Sequence, residues 1–98
     1  MNSLARLADA IAEALGTHPS VVSLDGGEHG GLATYLPRRK VVGVRVTGEG
    51  EPVGIGVVLR LGEPFPAVAD QLRELVRDIA GDVRVDVTIA DVRPAEPG

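Results

Sequence analysis

The stretch "VGIGVVLRLGEPFPAVADQLRELVRDIAGDVRVDVTIADV", residues 53–92, decides the fold. Val53, Ile55, Val57, Leu59 and Leu61 alternate with smaller or polar residues, the period of a strand with one buried face. "GEPFP" interrupts that period, and Pro66 falls in the first turn of a helix, where a missing N–H is harmless. Val68, Leu72, Leu75, Val76 and Ile79 then recur at helical spacing, with Asp70, Arg73, Glu74, Arg77 and Asp78 on the wet side. Gly81 stands at the C′ position, and Val83, Val85, Val87 and Ile89 resume the period of two against Arg84, Asp86, Thr88 and Ala90. A strand, a helix and a second strand at these lengths predict a parallel crossover with the helix on one face of a sheet.

Upstream, Leu4, Leu7, Ala8, Ile11 and Leu15 predict an amphipathic helix over 3–15, with Gly16 as a left-handed C′ residue and Pro19 barring continuation. "SVVSL", 20–24, reads as a short strand. "LATYLPRRK", 32–40, reads as a loop, one helical turn through Leu32, Tyr35 and Leu36 being the alternative. Val42, Val44 and Val46 alternate with Gly43, Arg45 and Thr47, and "GEGEP", 48–52, is a turn by composition. The two runs flanking it predict an antiparallel hairpin. The expected architecture is α+β: a two-layer α/β sandwich in the order α-β-β-β-α-β, a four-stranded mixed sheet with two helices on one face. The domain spans residues 1–92, and 93–98 form a flexible C-terminal tail.

The composition narrows the function. A chain of 98 residues holds one core, burying roughly 65% of the surface its unfolded form exposes. The net charge of -4 disfavours phosphate-backbone binding, and Tyr35 and Phe65 are the only aromatics, too few for a base-stacking platform. With no cysteine there is no disulfide and no thiolate chemistry, which fits a cytoplasmic protein. No apolar run approaches the ~18 residues of a membrane span, so direct membrane insertion is not expected.

Residues 25–31, "DGGEHGG", are the obvious place to look for chemistry. Asp25, Glu28 and His29, with His18, are oxygen and nitrogen donors suited to a divalent cation. Gly27, Glu28, His29 and Gly30 make a G-x-x-G, but it follows a strand and its first variable residue is acidic, which repels phosphate. The spacing and following helix of a nucleotide-phosphate loop are missing. A surface loop with glycines at positive φ is the favoured reading. Arg38, Arg39 and Lys40 are the only basic cluster; they suit contact with anionic lipid headgroups, but a solvated loop is the favoured expectation for three charges on an acidic chain. If Val42, Val44, Val46, Ile55, Val57 and Leu59 face the helices, Gly43, Gly54, Gly56 and Val58 face away. Glycines inside strands mark close approach by another backbone or ligand, so this face is the candidate surface for self-association or partner docking.

The segments "HPSVVSLDGGEHGG", "GVRV", "VGIGVVLRLGEPFPAVADQLRELV" and "VRVDVTIADV" together resemble the alkaline shock protein family, small envelope-stress proteins of Gram-positive bacteria. The likeness covers roughly residues 4–92 and lies in the order and spacing of the motifs. Glu28 and His29, between the glycine pairs, depart from it. The resemblance implies a cytoplasmic scaffold that works by homo-oligomerisation or through a membrane-anchored protein partner, at the inner face of the cell membrane. It implies a non-enzymatic role with no catalytic residue to carry over; no cofactor, metal or nucleic-acid partner is expected. The rival expectation is a small-ligand- or metal-dependent protein using the loop around His29.

Overall fold

The computed structural model describes residues 3–95. Of the expected tail, 93–98, residues 96–98 lie outside the described residues. The protein is α+β. Helix α1 (Ser3–Gly16) is followed by β1 (Val21–Leu24), β2 (Ala33–Leu36), β3 (Arg39–Val42), β4 (Val44–Arg45) and β5 (Val53–Arg60). Helix α2 (Phe65–Ala80) and β6 (Val85–Arg93) complete it.

Strand β5 organises the molecule. Along its whole length it pairs in parallel with β6, from Val53↔Val85 to Arg60↔Arg93. On its other side it pairs antiparallel with two short strands. β4 takes the first part, with Val44↔Ile55, and β1 the last, with Leu24↔Val57 and Val21↔Leu59. The sheet is therefore mixed and four-stranded, with β1 and β4 sharing one side of β5. Val53, Ile55, Val57 and Leu59 are all but inaccessible, and they join one core cluster with Ala8, Ile11 and Leu15 of α1 and Val68, Leu72 and Val76 of α2. Burial of so many branched side chains, at about 1.5–3 kcal/mol each, is the main stabilising force. Leu61, which extends the same alternation, is half exposed, because the strand ends at Arg60.

Four sequence expectations are corrected. Residues 32–40 are neither a loop nor a helical turn: β2 and β3 form a second, two-stranded antiparallel sheet with Tyr35 opposite Lys40 and Leu36 opposite Arg39. Its turn combines Pro37, whose ring presets φ, with Arg38 at φ 71, a positive-φ residue after proline as type II turns require. Thr34 replaces an apolar residue on the inner face. Its hydroxyl donates to the Val44 carbonyl at 2.6 Å and accepts from the Val46 amide at 3.0 Å, so burial leaves it satisfied.

The alternation through Val42 also fails. Gly43, at φ 87, breaks the strand, so Val41, Val44 and Val46 are buried while Val42 is 41% exposed. Gly16 is not a left-handed cap; α1 closes through Thr17 and His18 amides donating to the Ala14 and Leu15 carbonyls, with Pro19 next. The last strand begins at Val85 and continues through Arg93, whose carbonyl accepts from the Leu61 amide, so Arg93 belongs to the sheet. A bulge shifts its register: Val57 faces Ile89 but Val58 faces Asp91, leaving Ala90 unpaired. The expected helix α2 is present: it starts with proline in its first turn, and Gly81, at φ 88, ends it.

Polar contacts fasten these layers. The Ser20 amide donates to Nδ1 of His18, which places the ring proton on Nε2, 2.6 Å from Oε1 of Gln71; His18 thus ties the start of β1 to α2. Arg39 grips Asp9 with two bonds of 2.8 and 2.9 Å, tying the β2–β3 hairpin to α1. The hydrogen bond from Arg39, and secondarily its charge, hold the Asp9 carboxyl below its ordinary 3.8. The Arg84 carbonyl accepts from the Val53 amide at 2.9 Å, so the carbonyls of Val83 and Val85 point away from β5. Arg77 and Arg73 of α2 donate to those two carbonyls at 3.0 and 3.2 Å and blunt the start of the β6 edge.

Candidate functional site

The loop "DGGEHGG" and the glycines of the sheet prove to be one structure. Leaving β1, the Asp25 amide donates to the Gly56 carbonyl at 2.9 Å. The Gly56 amide donates to the Gly43 carbonyl at 3.0 Å, and the Gly43 amide to the Leu32 carbonyl at 2.7 Å. The Leu32 amide then closes the loop on the Gly26 carbonyl at 3.0 Å. Four backbone bonds thus run from one end of the loop, through two strands, back to the other. Inside the loop, Oδ1 of Asp25 accepts from the Gly27 amide at 2.8 Å, and the Gly30 amide donates to the Gly27 carbonyl. The Tyr35 hydroxyl donates to the Gly30 carbonyl at 3.0 Å and pins the far side.

This closeness requires glycine at two positions. A Cβ on Gly56 would lie 2.1 Å from the Asp25 carbonyl oxygen and 2.9 Å from Cδ1 of Leu32. A Cβ on Gly43 would lie 2.5 Å from Cβ of Leu24 and 3.0 Å from the Asp25 nitrogen, at a φ of 87 that L side chains avoid. The expectation that these glycines mark a close backbone approach is met, but the approaching backbone is the chain's own. Gly43 and Gly56 are accordingly covered, and Val58 is only 4% exposed. Gly54 differs: a Cβ there would meet only the end of Leu32 at 3.1 Å and Cβ of Arg45 at 3.7 Å. It floors a cleft of about 390 Å3 with Arg45 and Asp86 on neighbouring strands and Leu32 as a wall.

The polar residues of the loop do not converge. Glu28 and His29 are exposed on its outer turn, and Asp25 is engaged with the Gly27 amide. Among the described residues no group of three or more His, Asp or Glu side chains could hold a metal ion, and His18 is bonded elsewhere. Between the loop and β6 lies a second cleft of about 410 Å3, lined by Asp25, Gly27, Glu28, Thr88, Ile89 and Ala90. The β6 bulge therefore sits against the loop. Leu32, which the sequence places only in a loop or a single helical turn, is the clasp of the whole arrangement; its place directly after the second glycine pair is the sequence signal for that role.

Compared with family profiles, with curated proteins and with solved structures, the chain matches none. No helix among the described residues is long and apolar enough to cross a membrane.

Proposed function

We propose that this protein is a non-enzymatic scaffold of the alkaline-shock type, acting in the cell-envelope stress response by self-association or by docking to a membrane-anchored partner. The observation that carries this reading is the locked loop: the amide of Asp25 ties the loop to the sheet at Gly56, and its carboxylate ties the loop to itself at the Gly27 amide. A segment held in this way supplies shape. The motif order that resembles the alkaline shock family runs through the same loop and the strands beneath it. In this reading the fold is a two-layer sandwich with both helices on one face, and the loop clothes the other face.

The contact surface then consists of the loop's outer side and the cleft over Gly54, with Gly43, Gly56 and Val58 as its support. Gly54→Arg is the appropriate test, because a Cβ there would meet the flexible end of Leu32 at 3.1 Å and Cβ of Arg45 at 3.7 Å, and no backbone. Light scattering of the purified protein is expected to give an assembly that Gly54→Arg dissociates without changing the thermal midpoint. A wild-type protein that stays monomeric and captures no membrane protein, or an assembly indifferent to Gly54→Arg, would contradict the proposal. The cleft beside Glu28 is what favours the rival reading, ligand or metal binding around His29. A thermal shift with divalent ions that His29→Ala abolishes would establish that rival.

A further inference from the structure

We infer that the outer face of the β2–β3 hairpin is a docking surface for an anionic lipid bilayer. The inference stands on the hairpin alone and does not require the scaffold reading. Opposite residues of an antiparallel pair share a face, as do residues two apart, so Tyr35, Lys40 and Val42 lie on one side. Thr34 and Val41, on the other side, are buried, and Arg39 turns under to Asp9. Ala33 shares the outer side and is buried, so the exposed part of that side consists of Tyr35, Lys40 and Val42.

What it displays is an amphipathic set. Tyr35 is 67% exposed, the most exposed large hydrophobic residue described, and Val42 is 41% exposed. Nζ of Lys40 stands 5.8 Å from the centre of the Tyr35 ring, and Arg38 is exposed in the turn between the two strands. With Arg39 neutralised by Asp9, two cations, a phenol and an aliphatic side chain remain on a rigid projection of an otherwise acidic chain.

Charge complementarity selects an anionic partner, and the apolar pair beside the charges selects its kind. Tyrosine rings settle at the headgroup level, where the apolar body is covered, and aliphatic neighbours reach the acyl boundary; the Tyr35 hydroxyl keeps its partner, the Gly30 carbonyl. A nucleic acid would ask for more rings and more cations than this face has. Each basic residue near an anionic leaflet strengthens binding by roughly fivefold, so Arg38 and Lys40 together give about 30-fold over a neutral bilayer. One copy would visit the surface briefly, and several copies held together would remain there.

The test is co-sedimentation of the full chain with vesicles of equimolar phosphatidylglycerol and phosphatidylcholine, against vesicles of phosphatidylcholine alone. Partition is expected to favour the anionic vesicles by about 30-fold at low salt and to fall sharply at ~0.3 M salt. Arg38→Asn, which tolerates the positive φ, and Lys40→Gln should each remove about fivefold, with thermal midpoints unchanged. The salt dependence of the wild type tests the surface even where a variant folds poorly. Equal partition to both vesicles, or partition that the folded double variant retains, would overturn the inference. So would capture by polyglutamate without vesicle binding, which would assign the face to an acidic protein.

Discussion

Gly56→Ala is expected to destabilise the protein by about 3 kcal/mol or more, at the upper end of overpacking penalties. The added methyl would sit 2.1 Å from the Asp25 carbonyl oxygen, and that oxygen belongs to backbone held by the Asp25 amide on Gly56 itself. The clash can be relieved by lifting the loop off the sheet. That relief breaks the Asp25–Gly56 bond and withdraws Leu32 from the glycine floor. For a domain of this size the midpoint of thermal unfolding should fall by roughly 12–24 °C. An alanine variant within a few degrees of wild type would mean that the loop does not rest on Gly56.

Gly43→Ala should be nearly as harmful, for a different reason. Its backbone is left-handed, which costs an alanine about 1–2 kcal/mol before any contact is counted. The methyl would then meet Cβ of Leu24 at 2.5 Å, the rigid base of a side chain that packs on the core. A total loss of about 3 kcal/mol follows from strain and overpacking together. Both substitutions displace the same loop, so their effects should overlap. The Gly43→Ala/Gly56→Ala variant is expected to lose less than the sum of the two, by more than the ~0.5 kcal/mol seen for independent sites. Chemical denaturation of the four proteins measures this, and strict additivity would contradict a shared loop.

These glycines show how far sequence reasoning reaches. Strand β5, helix α2 and strand β6 are plain in residues 53–92, because each carries an uninterrupted period and a clear stop. Their outward glycines correctly announce a close approach. Nothing local says which backbone approaches, since Asp25 and Leu32 arrive there through pairings that only the folded sheet creates. The β2–β3 hairpin is hidden for a related reason. Its inner face contains Thr34, whose hydrogen bonds substitute for an apolar side chain, and its turn places arginine where glycine would be the recognisable signal. Val42 misleads because one left-handed glycine reverses the faces of the strand around it.

The loop itself changes character on folding. Four glycines and three polar side chains suggest mobility and chemistry, yet backbone bonds hold both ends and the middle is pinned by Tyr35. Arg73 and Arg77 change character in the same way. On the helix they read as a solvated face, whereas their guanidinium groups occupy carbonyls at the edge of β6.

Amide hydrogen exchange tests the central claim most directly. If residues 25–32 are clasped to the sheet, the amide protons of Asp25, Leu32, Gly43 and Gly56 should all be strongly protected and should exchange with similar opening free energies. Exchange of Asp25 and Leu32 at the rate of an unstructured peptide, with Gly56 still protected, would show a free loop and contradict it.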